Sequence, residues 1–341
     1  MKKVDNSTSS TFHDIGPNDY QLTFPFPGDI NIGDYAVDTV RIPGPSSAPM
    51  ANVTIVLAEG PTPANVLRFG FPSQEKGLLL GTFPQYPTLA QTMVQAGIIE
   101  SATYSMYLNP SQGRSQHGQL AFPPADMLFG AVDTGLFVEP LVTMAVLESN
   151  ETTVAPKGKA SFYTIALSDI RLQEQHSAGL LQSPISCVVD VSGMTLSVPT
   201  DAFTSLVASF PDPVFNETLG IYHVDCHLRD EPRFNLSITL LSTDSHNSSL
   251  TLEIPSSNVI WPSSRVATGG DPDTCAIAIN PGSEERQCII GTSVMKSAYI
   301  VFDVINQQIS FAVARPSRSP LGKLVKIPAE GVRGIKECLY V

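Results

Sequence analysis

Two short stretches of the chain place an aspartate ahead of a hydroxyl residue and a glycine. Asp133 is followed directly by Thr134 and Gly135, and Asp190 is followed by Val191-Ser192-Gly193. Two carboxylates held about 3 Å apart can share one proton, so that one removes a proton from water while the other protonates a carbonyl oxygen. A single carboxylate cannot fill both roles, so the surroundings of each aspartate decide what it can do.

Asp190 follows two apolar residues, Val188 and Val189, and further distinctive segments occur in both halves of the chain. In the second half these segments are 186–190, 195–203, 222–226, 259–262, 289–303 and 306–312, and in the first half they are 33–40, 86–93, 97–99, 104–108 and 129–133. In content and in order they resemble pepsin-like aspartic proteases of the secreted fungal type, over residues 10–314.

The elements that must position these residues are predicted to be mostly strands. The 28 prolines, the 24 glycines and many short β-branched runs such as 52–57 favour sheets joined by turns. Helices are predicted at 88–95, with Gly97 as its stop, at 200–209 and near 294–297. The resemblance implies an all-β, bilobal pepsin-like fold with an incomplete N-terminal lobe. Its expected parts are a disordered or partial strand at 1–19, an N-terminal lobe remnant at 20–147, a connection at 148–160, a C-terminal lobe at 161–314 and a tail at 315–341.

The resemblance implies that Asp190 is the sole catalytic candidate, and that it sits on a degenerate turn. It also implies that four residues line the cleft: Gly193, Thr195, Ile290 and Gly291. The family places a Ser or Thr directly after the aspartate, but here Val191 intervenes. Either one residue is inserted before Ser192-Gly193, or Val191 and Ser192 replace the hydroxyl residue and the glycine. A turn that required positive φ would strain a residue other than glycine.

The first catalytic segment of the family is expected to be missing, because 33–40 resembles the strand that follows the flap over the substrate. The flap segment itself, 24–29, has two prolines and no tyrosine. We therefore expect an aspartic-type endopeptidase family member that is inactive as given, with a peptide or protein as its partner. The alternative is a non-catalytic peptide-binding or inhibitory module.

The Asp133-Thr134-Gly135 triplet matches the family motif letter for letter, yet three observations argue against a catalytic role. It follows 129–132, which resembles a lobe-closing hairpin, and it precedes the apolar run 136–138 rather than small hydroxyl residues. Too few residues lie between Asp133 and Asp190 to form one complete lobe. We expect Asp133 to lie outside the catalytic site.

The overall composition excludes several classes of partner. A net charge of −12 and a pI near 4.9 disfavour nucleic acid and anionic membrane surfaces. No stretch approaches 18 continuous apolar residues, so no membrane span is expected. The resemblance implies secretion, although Met1-Lys2-Lys3 is followed by polar residues rather than the apolar core of a signal peptide. Acceptor sequences for N-glycosylation occur at Asn6, Asn52, Asn150, Asn216, Asn235 and Asn247.

The five cysteines lack the spacing of a metal site, and neither a metal nor a cofactor is expected. By resemblance Cys226 pairs with Cys275, while the pairing of Cys187, Cys288 and Cys338 is left open and at least one thiol stays free. The resemblance also favours a monomer. The basic tail at 316–341 contains prolines and glycines, and we expect it to be a solvated extension without fixed structure; the alternative is a targeting or binding tail.

Overall fold

The computed structural model describes residues 9–23, 30–41, 49–59, 70–71, 86–109, 125–148, 162–173, 179–242, 249–267, 269–283 and 288–335. The chain forms two compact units. The first comprises Met1–Ala102 and Glu148–Phe162, and the second comprises Thr103–Leu147 and Tyr163–Val341. The sequence analysis assigns residues 103–147 to the N-terminal lobe instead. Those lobe boundaries stay a prediction.

The first unit contains a three-stranded antiparallel sheet in the order β1 (His13–Thr23), β2 (Ile30–Val40) and β3 (Met50–Glu59). Tyr35 and Ala36 of β2 are fully buried, and the ring of Tyr35 meets that of Tyr86 edge-on at 6.0 Å. The predicted flap segment, 24–29, lies outside the described residues.

Helix α1 (Leu89–Gln95) confirms the helix predicted in this part of the chain. The side chain of Thr88 accepts a hydrogen bond from the Gln91 N–H, and the Gln91 side chain accepts one from the Thr88 N–H. This reciprocal cap satisfies two amide groups that would otherwise be unpaired at the helix start. Beyond the last turn, Gly97 has a φ of 69°, which a residue without a β-carbon adopts at little cost.

The second unit consists mainly of short strands. In chain order these are β4 (Thr103–Leu108), β5 (Ala125–Phe129), β6 (Ala131–Asp133), β7 (Phe137–Ala145), β8 (Thr164–Leu172), β9 (Ile185–Val189), β10 (Leu196–Val198), β11 (Val214–Asn216), β12 (Ile221–Val224), β13 (Leu236–Leu241), β14 (Ser249–Ile254), β15 (Ile260–Pro262), β16 (Cys275–Ile277), β17 (Ile279–Pro281), β18 (Ile289–Ile290), β19 (Ala298–Asp303), β20 (Gln308–Ala314) and β21 (Leu324–Lys326).

Within the described part of this unit, four short helices connect the strands: α2 (Thr200–Val207), α3 (Ser256–Val259), α4 (Ser263–Val266) and α5 (Thr292–Met295). Helices α2 and α5 agree with the predictions at 200–209 and near 294–297, although α5 begins two residues earlier. The described residues also form 3-10 turns at Cys226–Asp230, Pro232–Phe234 and Val332–Gly334. In the described parts of the chain the longest helix, α2, has eight residues, too few to cross a bilayer.

A seven-stranded sheet carries the loop that contains Asp190. Its order is β14-β13-β8-β9-β18-β10-β17, and β9 and β18 run parallel at its centre. Burial alternates along β13 and β14, as expected when one face of a sheet packs on a core and the other faces water. A second sheet, in the order β11-β12-β16-β15, flanks the Cys226–Cys275 disulfide.

A five-stranded antiparallel sheet forms the interior of this unit, in the order β5-β4-β19-β20-β7. All six residues of β4 and all six of β19 are buried, so both faces of these strands are covered. The Tyr299 hydroxyl donates to Ser105 Oγ at 2.8 Å and accepts from the Asp133 N–H at 2.9 Å, which satisfies polar groups inside the core.

The expectation of a solvated tail is wrong for residues 316–335, which pack onto the second unit. Strand β21 pairs with β6, and Ile327, Val332 and Ile335 join a buried cluster that includes Val132 and Phe137. These apolar side chains are removed from water when they pack on the strands, and the free energy gained offsets the conformational entropy lost when this segment is ordered. Residues 336–341, which include Cys338, lie outside the described part.

Candidate active site

The Asp190 loop begins where β9 ends and is anchored by the neighbouring strand. In the parallel pair, Val189 lies opposite Ile290, and the Asp190 N–H donates to the Ile290 carbonyl at 3.1 Å. Three residues before Asp190, Cys187 forms a disulfide with Cys288, so the two central strands are also joined covalently. The start of the loop is therefore fixed by backbone and covalent links.

The Asp190 carboxylate is oriented by Ser192. Its Oδ1 accepts a hydrogen bond from the Ser192 N–H at 2.8 Å and another from the Ser192 hydroxyl at 2.6 Å. The Gly193 N–H donates to the Asp190 carbonyl at 3.1 Å and closes a four-residue turn. Val191 is 40 % exposed. Ser192 thus supplies the hydroxyl, two positions after the aspartate rather than one.

The backbone of this turn needs no left-handed residue. None of residues 190–193 is among the described positions with positive φ, so Val191 and Ser192 adopt ordinary conformations. The turn therefore carries none of the backbone strain that a positive φ would impose on Val191 or Ser192.

The residues expected to line the site do come together around this loop. The Gly193 carbonyl accepts from the Thr292 N–H at 2.8 Å, and a Cβ on Gly291 would lie only 2.7 Å from that same carbonyl oxygen. The Thr195 hydroxyl, in turn, accepts from the Asn280 side chain at 2.9 Å. Gly291 is required here because the two loops approach too closely for any side chain.

Sequence reasoning missed three residues that hold the loop. Thr292 and Ser293, at the start of α5, donate their N–H groups to the carbonyls of Gly193 and Met194 at 2.8 and 3.0 Å. The third is Asn280, whose amide contacts Thr195. The sequence offers no signal for the Thr292 and Ser293 contacts, because both are donated by backbone N–H groups, which every residue except proline has.

Asp133 takes part in a structural ion pair instead. Its Oδ2 accepts from Arg318 Nε at 2.7 Å, and its Oδ1 accepts from the Gly135 N–H at 2.9 Å. The backbones of Gly135 and Gly322 lie so close together that a Cβ on Gly322 would overlap Gly135. The 318–323 segment therefore closes over this triplet, and the carboxylate is occupied by contacts within the fold.

Two disulfides and three acceptor asparagines lie in the described residues. The structure joins Cys226 to Cys275, the pair that the resemblance implies, in addition to Cys187 and Cys288. Asn52 is exposed, whereas Asn216 and Asn235 are half-buried. Asn216 contacts His223 Nε2 at 3.2 Å, and Asn235 Oδ1 accepts from the Ser256 N–H at 2.9 Å. The other candidates, Asn6, Asn150 and Asn247, lie outside the described residues.

The described residues offer no grouping of three His, Cys, Asp or Glu side chains that could hold a metal ion. Nor do they link Asp190 to a second acidic side chain by a hydrogen bond or an ion pair. What the loop presents is one carboxylate, held at Oδ1 by two donors and without a described hydrogen bond at Oδ2. A group of this kind can accept a proton from water at its second oxygen.

Comparison with known proteins decides the family. The family model for eukaryotic aspartyl proteases matches residues 1–314. The chain belongs to this aspartyl protease family. A probable aspartic-type endopeptidase, OPSB, of Arthroderma benhamiae is 26 % identical over 319 residues, which are 91 % of this chain and 59 % of that protein. Barrierpepsin of Saccharomyces cerevisiae is 26 % identical over 343 residues, 97 % of this chain and 52 % of that protein.

Among solved structures, the aspartic proteinase from Irpex lacteus superposes with a TM-score of 0.66 at 17 % identity, covering 89 % of this chain and 83 % of that one. This likeness confirms the predicted all-β, pepsin-like fold. The chain spans little more than half the length of the two related proteases above, OPSB and barrierpepsin.

Proposed function

We propose that the chain is an aspartic-type endopeptidase domain in which Asp190 is the one catalytic-type carboxylate, and that these 341 residues alone do not hydrolyse peptide bonds. The observation that supports this is the state of the Asp190 carboxylate. Ser192 holds Oδ1 with two hydrogen bonds, and Oδ2 can bind water. The chemistry of a carboxylate pair needs a second acid to protonate the substrate carbonyl.

The other Asp-Thr-Gly triplet does not supply that acid in this proposal. Asp133 is ion-paired with Arg318 and hydrogen-bonded to the backbone of its own turn. Breaking these contacts to free the carboxylate would leave a nearly buried charge without partners, which is costly. Asp190 therefore acts alone within the described residues.

The alternative is a module that binds peptides without cutting them, and the ordered structure of the Asp190 loop supports it. The Gly193, Thr195 and Gly291 backbones are held by hydrogen bonds and close packing, so the turn keeps a defined shape without catalysis. A rigid turn with exposed polar groups can recognise an extended peptide. Such a module would bind a peptide or protein and release it uncut.

The two roles are separated by assaying the purified 341-residue chain with an unfolded protein substrate at about pH 3–5, where one carboxylate of a coupled pair stays protonated. We expect no cleavage in the parent chain or in Asp190→Asn. Binding of a statine-type transition-state analogue, followed by calorimetry, should weaken in Asp190→Asn if the turn still binds peptides. The matched control is Asp201→Asn, at an exposed carboxyl in the first turn of α2. Cleavage by the parent that disappears in Asp190→Asn would contradict the proposed inactivity.

A further inference from the structure

Three cationic side chains of the second unit lie on or next to elements that pack around α3 and β15. Arg229 lies in the 3-10 turn Cys226–Asp230, Arg265 lies in α4, and Lys296 directly follows α5. The Ser256 hydroxyl donates to the Arg229 carbonyl at 2.7 Å, which ties the 3-10 turn to α3, and α3 packs against α5. Three separate segments of the chain, each carrying one positive charge, thus pack into one region of the second unit.

None of the three cations forms an ion pair with a carboxylate of the described residues. Lys296 is only 8 % exposed, and Arg229 Nε is buried without a hydrogen-bond partner. The Arg265 guanidinium carbon lies 5.0 Å from the centre of the Trp261 ring, an attraction that positions the group without neutralising it.

The charges act on one another through the protein interior. Burial, and then the charge of Arg265, lowers the pKa of Lys296 below its usual range. Burial, and then the charge of Arg229, lowers the pKa of Arg265. Like charges that lose water without gaining a counter-ion destabilise a fold, so a bound anion at this position would relieve a cost already present.

We propose that Arg229, Arg265 and Lys296 form a binding site for a doubly charged tetrahedral oxyanion of the phosphate or sulfate class. Guanidinium groups donate paired hydrogen bonds to such oxygens, and an ammonium group adds a compact charge. Three positive charges match a dianion better than they match a single carboxylate. This site does not depend on the proposed peptide chemistry of Asp190.

The test measures thermal unfolding of the full chain at one pH in sodium phosphate, sulfate, acetate or chloride, all at equal ionic strength. Phosphate and sulfate should raise the melting temperature along a saturating curve, because a ligand that binds only the folded state stabilises it by mass action. Acetate and chloride should give no such curve. An acetate response equal to that of phosphate would overturn the assignment of a dianion.

Variants locate the effect. Arg265→Gln should weaken phosphate binding at least about 10-fold by calorimetry, the loss expected for one charged hydrogen-bonding partner. Lys296→Met should also weaken binding, and it should raise the melting temperature without phosphate because it removes a buried, unpaired charge. A lower melting temperature in Lys296→Met, with phosphate binding unchanged, would show that the charge is neutralised within the chain and would refute the site.

The matched control is Arg233→Gln. Arg233 lies 4.9 Å from the Phe234 ring centre, much as Arg265 lies over Trp261, but it is exposed and 3.8 Å from the Glu231 carboxylate. Phosphate binding should be the same in this variant as in the parent. If Arg233→Gln weakened binding as much as Arg265→Gln did, the effect would be one of total charge, and the proposed site would be wrong.

Discussion

The role of Asp133 can be tested by two substitutions, Asp133→Asn and Arg318→Gln. In the structure the Asp133 side chain is 8 % exposed, and Arg318, 49 % exposed, donates to its Oδ2 at 2.7 Å. The Gly135 N–H donates to Oδ1 at 2.9 Å and is unaffected by either substitution. Each variant therefore removes the same charged hydrogen bond from a different side.

The size of the effect follows from this geometry. A hydrogen bond to a charged group contributes about 1.5–3 kcal/mol, whereas an exposed ion pair contributes about 0–1 kcal/mol. Because water can replace the half-exposed Arg318 but reaches Asp133 poorly, we expect each variant to lose about 1–2 kcal/mol of unfolding free energy. The double variant should lose less than the sum of the two, with a coupling of about 1 kcal/mol.

Urea unfolding, followed by circular dichroism, gives these free energies, and the binding assay with the transition-state analogue is run in parallel. Both variants should bind the analogue as the parent does. If Asp133→Asn lost no stability but lost analogue binding, Asp133 would belong to the site and the structural role argued from Arg318 would be refuted.

Three further outcomes are expected. Gly291→Ala should destabilise the chain by about 1–3 kcal/mol or more, because its Cβ would overlap the Thr195 carbonyl; urea unfolding checks this, and an unchanged midpoint would contradict the packing. Cys226→Ser should cost up to about 4 kcal/mol relative to the oxidised parent, in the chain-entropy model for a separation of 49 residues. With both disulfides reduced, the variant and the parent should be equally stable, and a difference that persisted under reduction would contradict this cause. The pKa of Asp38 is lowered chiefly by a hydrogen bond from the Thr11 hydroxyl, so the stability that this bond gives the fold is present above the unfolded pKa of 3.8 and is lost as pH falls through the folded pKa. Thr11→Val should raise the pKa of Asp38 in an NMR titration, and an unmoved titration curve would exclude this cause.

Local signals predicted the elements that depend on neighbouring residues. The Thr88 cap and Gly97 mark both ends of α1, and both act within a few residues. The residues expected near Asp190 came instead from the family resemblance of the 186–190 and 289–303 segments. The physical cause of the helix ends lies within one short segment of sequence, whereas the approach of Ile290 to Asp190 joins two distant segments.

Contacts between distant segments could not be predicted in this way. The tail was expected to be solvated because proline and glycine are frequent in it, yet the pairing of β21 with β6 joins residues about 190 positions apart and leaves no local pattern. The second disulfide was left open because spacing does not determine connectivity among five cysteines. The role of Ser192 depends on how the turn closes, which the intervening Val191 obscures.

The five-stranded sheet has a consequence for how this protein is made. Its inner strands β4 and β19 belong to segments separated by 194 residues at the Ser105–Tyr299 contact, so β4 is synthesised long before its partner. Folding rates fall as contacting residues lie further apart along the chain. Until β19 arrives, β4 and β7 have open edges and uncovered apolar faces, which promote association between nascent chains. Folding of the second unit should therefore be slow and should benefit from chaperones that bind residues 103–145 during synthesis.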